Sequence, residues 1–103
     1  VRRCGVAVEG RIRSPAVAGQ FYPGEANALR QAIEECYRHP LGPGAVPVVN
    51  RSPLTSPVGL ALPHAGYRYS GPVAARGMAS LAALGQPSSV VILGPNHWGV
   101  GPP

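Results

Sequence analysis

Residues 58–99 read VGLALPHAGYRYSGPVAARGMASLAALGQPSSVVILGPNHWG. Two continuous apolar runs, 58–62 and 90–93, stop at Pro63 and at Gly94-Pro95. Apolar runs of that length read as strands buried on both faces. Between them Ser70 is placed to N-cap a helix with Pro72 in its first turn, and Ala74, Met78, Leu81 and Ala82 give it a buried stripe. Gly85 supplies the stop, with Pro87 two residues on. Strand, helix, strand is a βαβ unit, which predicts parallel strands and a right-handed crossover. The expected class is therefore α/β.

Upstream, Leu29, Ile33, Cys36 and Tyr37 fall on one face of a helix over about 25–38. Glu25 suits its positive end, Arg38 and His39 its negative end, and Pro40 stops it. His39 reads as a dipole partner or a plain surface residue. Residues 40–57 hold five prolines and two glycines, too many for a helix or a central strand, so they form a Pro-rich connecting loop. Residues 14–24 are short and turn-rich. Residues 1–13 are a basic tail expected to be flexible, which leaves 14–103 as part of a single domain.

Gly (14) and Pro (13) make up a quarter of the 103 residues, yet 45% of the chain is hydrophobic and only 13% charged. Such a chain is too apolar for the disordered class, so Gly and Pro punctuate short elements. The net charge of +5 comes from nine Arg against four Glu, and four of those Arg lie in the tail. The tail contains no aromatic residue, which argues against a nucleic-acid surface. No apolar run approaches the roughly 18 residues of a membrane span, and no signal-peptide core follows the N-terminal Arg residues. Cys4 and Cys36 have no pairing framework and read as reduced thiols, consistent with a cytoplasmic protein.

The chemistry-bearing residues stand just after the two apolar runs. His64 lies in Pro63-His64-Ala65-Gly66-Tyr67, and His97 in Gly94-Pro95-Asn96-His97-Trp98-Gly99. Loops at the carboxyl ends of parallel strands converge, so the two imidazoles are expected to meet at one point. An imidazole pair on convergent loops suits Fe, Cu or Zn; the alternative is a pair of hydrogen-bonded structural histidines. A phosphate loop is excluded, because Val100 stands where it needs Lys and no helix can begin at Gly101-Pro102-Pro103.

Three segments, taken together, resemble the Memo-like family, whose bacterial members are called AmmeMemoRadiSam system protein B. They are PAVAGQFYP at 15–23, PHAGYRYSG at 63–71 and ILGPNHWG at 92–99, in the family's order, and the resemblance covers 13–103. It implies a relative of the class III extradiol ring-cleaving dioxygenases: an α/β sandwich around a mixed sheet, with a non-haem iron site. The present chain would be the incomplete N-terminal part of that larger domain. By the same resemblance His64 and His97 are the first two metal ligands, for iron or copper. The third is a Cys much later in a chain more than twice this length, and is absent here. Phe21, where the family often has Trp, and Tyr69 would line the substrate cleft.

The resulting expectation is a metal-dependent oxidoreductase in its complete form, with this chain inactive by itself. The rival expectation is a non-catalytic adaptor that binds a peptide or small ligand in the same cleft. Two strands with both edges unpaired would also leave apolar surface bare, so self-association is expected unless a C-terminal portion covers it.

Overall fold

The structure, a computed structural model, describes residues 14–100. The basic tail of residues 1–13, with Cys4, lies outside the described residues. Two helices appear, α1 (Ala26–Arg38) and α2 (Tyr67–Leu84).

Helix α1 starts where a carboxylate can reach its first free N–H groups. Glu25 is the N-cap, and its two oxygens accept from Asn27 N and Ala28 N, both at 2.9 Å. These bonds, Asn27's first, hold the Glu25 carboxyl below its ordinary value. At the other end His39 is the C-cap, and its Nδ1 accepts from Leu41 N at 3.0 Å. Arg38 pairs with Glu34 one turn back at 2.9 Å, an exposed i,i+4 contact of minor energetic weight.

Helix α2 differs from the sequence reading at its start. Gly66, not Ser70, is the N-cap, and Ser70 is buried inside the helix. The cause is tertiary: Phe21 lends its carbonyl to Tyr67 N at 2.9 Å, satisfying a first-turn N–H that no local side chain caps. Ser70 then donates its Oγ to Ala65 O at 2.9 Å. Pro72 sits within the helix, where it cannot supply the N–H that would close onto Arg68.

The Pro-rich loop is tied to α2 along its length. Arg76 Nε donates to Leu41 O at 2.7 Å. Asn50 caps the far end of the helix, its backbone N–H donating to Ala82 O at 2.7 Å and its Nδ2 to Ala83 O at 3.3 Å. Asn50 Oδ1 in turn accepts from Ser52 N at 3.0 Å. Gly85 closes the helix with a φ of +143°, a backbone that disfavours a side chain.

The two helices touch where Gly71 faces Cys36; a Cβ on Gly71 would overlap the Cys36 sulfur. The contact borders a cavity of about 490 Å³ whose wall also includes Ile33, Tyr37, Ala74 and Met78. The apolar stripe of α1 therefore does face α2. Among the described residues Ala75 is the one buried hydrophobic side chain.

The segment order of apolar run, helix, apolar run is present, but no strand ladder forms among the described residues. Two isolated parallel bridges occur, Ala18 with Tyr22 and Pro53 with Gln86. The 90–93 run, read as interior from its composition, stands in solvent: Val91 and Ile92 are each 85% exposed. A strand is held by a partner, and in this structure neither run has one.

Candidate metal centre

Each site histidine is set by a bond one residue away. His64 precedes Ala65, whose carbonyl is held by the Ser70 hydroxyl on α2. His97 follows Asn96, whose Oδ1 accepts from Gly99 N at 2.9 Å and whose Nδ2 donates to Val100 O at 3.2 Å. This side-chain turn folds the loop back on itself, with Gly99 at φ +63°.

The two imidazoles meet. His64 Nε2 and His97 Nε2 are 3.0 Å apart, with ring centroids 5.2 Å apart and planes tilted by 39°. Two nitrogens on one ion at bonds of about 2.1 Å subtend about 90° when 3.0 Å apart; with the ring centroids 5.2 Å apart, however, the two Nε2 atoms face each other nearly in line, so a shared ion would require the rings to tilt toward it. Both residues are exposed, so the outer side of the pair is open. Among the described residues no group of three His, Cys, Asp or Glu converges. The donor set among the described residues is two nitrogens.

The aromatic residues divide differently from the sequence expectation. Phe21 lines the 490 Å³ cavity that also reaches His64. It lines a second cavity of about 510 Å³, whose wall carries Glu35, His39 and Arg68. Tyr69 lines neither cavity and is 80% exposed. Tyr67 lines both and packs against Tyr22 with centroids 5.6 Å apart. Tyr67 and Tyr69 point apart because residues two apart on a helix differ by about 200°. The signal for Tyr67 was available only by starting α2 four residues earlier.

Cys36 is a free thiol on the wall of both cavities. Burial first, and then the neighbouring Glu35 charge, push it above the ordinary thiol value.

The site as described is two loop imidazoles brought together across one helix. Comparison with known proteins gives the family. The family model described as Memo-like protein matches residues 13–103, and the chain belongs to that family. It is 60% identical over 89 residues to MEMO1 family protein MK0963 of Methanopyrus kandleri, covering 86% of this chain and 31% of the relative. It is 55% identical over 91 residues to a MEMO1 family protein of Ignicoccus hospitalis, covering 88% and 32%. A MEMO1 family protein of Thermotoga petrophila is 51% identical over 92 residues, covering 88% and 33%. The chain thus spans about a third of the length of these relatives. No solved structure matches it.

Proposed function

We propose that this chain supplies two imidazole ligands, His64 and His97, to a metal centre in a Memo-like protein whose complete form carries out metal-dependent oxidation. The observation that carries the reading is the 3.0 Å approach of the two Nε2 atoms. Imidazole suits iron and copper, and neighbouring octahedral positions are those that two histidines take in non-haem iron sites. When bound, such a metal supplies Lewis acidity and electron transfer toward O₂. The chain's own part is to bring the two Nε2 atoms together and to hold the loops still. Ser70, through Ala65, and the Asn96 side chain do the holding. The open side leaves room for a third ligand, which the family resemblance assigns to a Cys in longer members, and for a small-molecule substrate. Phe21 and Tyr67 would contact its apolar part. The parallel Pro53–Gln86 bridge and the run, helix, run order support a βαβ unit in a sandwich around a mixed sheet. Among the described residues no helix is long and apolar enough to cross a membrane. The unpaired Cys36 thiol supports a cytoplasmic setting.

A second reading is favoured by the same distance. An N–H on one neutral ring donating to the bare nitrogen of the other also spans about 3.0 Å, which would make the pair a structural contact in a peptide- or ligand-binding adaptor. Titration of the chain with Co²⁺ and Cu²⁺ separates the two. The metal reading expects one ion per chain, weakly held, and lost in His64→Ala and in His97→Ala alike. Affinity should fall with acid toward two protons per ion, since both imidazoles must be neutral to ligate. Binding that survives both substitutions, or no binding at all, overturns it.

A further inference from the structure

Three contacts in this chain share one sequence separation. Asn50 Nδ2 meets Ala83 O, Pro53 bridges Gln86, and His64 meets His97, all pairs 33 residues apart. The Pro53–Gln86 bridge is parallel, and Gln86 makes both of its bonds: its N–H donates to Ser52 O at 2.8 Å and its carbonyl accepts from Leu54 N at 2.9 Å. Proline is tolerated at 53 because the ladder asks nothing of that residue's own nitrogen. From this bridge two arms run to the site, 53 to 64 and 86 to 97. The arms are equal in length, neither contains helix, and no ladder joins them on the way. The two histidines thus stand at equal chain length from a common root.

We propose that residues 50–54 and 82–86 form a clasp that sets the register of the histidine pair, and that Asn50 is a positioning residue for it. Asn50 fixes the end of α2 through two carbonyls and shapes its own segment through Ser52 N, so one side chain joins the roots of both arms. A one-residue change in either arm brings Trp98 or Ala65, or the residue before a histidine, to the meeting point. An equal change in both arms leaves the imidazoles opposite each other. The inference rests on reading His64 and His97 as one site; it does not require that the site hold a metal.

The test uses the 103-residue chain and two readouts: the nuclear Overhauser effect between the imidazole ring protons of His64 and His97 without metal, and the affinity for Co²⁺. Deleting Val91 alone should abolish the Overhauser contact and weaken Co²⁺ binding at least tenfold. Deleting Val91 together with Leu60 should restore both. Damage that is merely structural predicts the reverse, with the double deletion worse than the single one. Asn50→Ala should weaken both readouts severalfold while helical ellipticity is kept. A contact that survives the single deletion, or a double deletion no better than the single, overturns the proposal. If the deletions unfold the chain, Asn50→Ala decides, and unchanged readouts there overturn it. An Overhauser contact in a native chain that takes up no Co²⁺ would sink the metal reading and leave the register intact.

Discussion

Substituting Ile92 by Glu puts a charge in the middle of the most apolar run in the chain. Fully burying an Ile side chain is worth about 1.5–3 kcal/mol. Ile92 is 85% exposed, so only about 0.2–0.5 kcal/mol of that is realised in this fold. Ile92→Glu should therefore change the unfolding free energy of the 103-residue chain by less than about 0.5 kcal/mol, as surface substitutions do. Its effect on association should be large. Val91 and Leu93, at 85% and 93% exposed, continue the same bare surface, and exposed apolar area of this kind drives chains together. Urea titration gives the first quantity and multi-angle light scattering the second, with a shift toward monomer expected at equal concentration. A loss of 2 kcal/mol or more would show that the run is buried in solution. Unchanged association would show that some other surface joins the chains.

Three further outcomes follow from single contacts. Gly42→Ala should cost about 1–3 kcal/mol in urea titration, because its Cβ would overlap the Cys36 carbonyl and stand 3.2 Å and 3.3 Å from the His39 and Tyr37 carbonyls, none of which can turn aside. The lowered Glu25 carboxyl contributes stability above the unfolded carboxyl value, near 4.3, which is lost as pH falls through the lower folded value. Ellipticity at 222 nm between pH 6 and pH 2 should show that loss, and Glu25→Gln should remove the pH-dependent part. Cys36 should alkylate more slowly than a free thiol at pH 8, and Glu35→Gln should speed it, as read by peptide mass spectrometry.

How much could be read without the structure varies by element. Helix α1 was legible because its signals are local: an apolar stripe, a carboxylate at its start and a proline at its end. The start of α2 was not, because its cap is the Phe21 carbonyl, supplied from another part of the chain. Ser70 looked like a cap for the reason that hydroxyls usually cap, and here its hydroxyl serves Ala65 instead. The meeting of His64 with His97 could be expected from their places after two apolar runs. The shared separation of 33 could not, since a hydrogen bond from Asn50 to Ala83 leaves no trace in local pattern. The runs 58–62 and 90–93 carry the composition of inner strands, and composition records what a segment can pair with, not whether the partner is present.

Beside its local closures at Gly66 and Gly85, each end of α2 takes a bond from a group far away in sequence, Phe21 at its start and Asn50 at its finish. This has a kinetic consequence. The local turns can flicker into being before the rest of the chain collapses, but the bonds from Phe21 and Asn50 that hold the terminal groups form only once two long loops have closed. Its ends should therefore acquire protection late and together in refolding, with a rate set by loop closure and not by helix propensity. A peptide limited to residues 66–85 should fray at both ends, and the chain that surrounds it is what gives the helix its length.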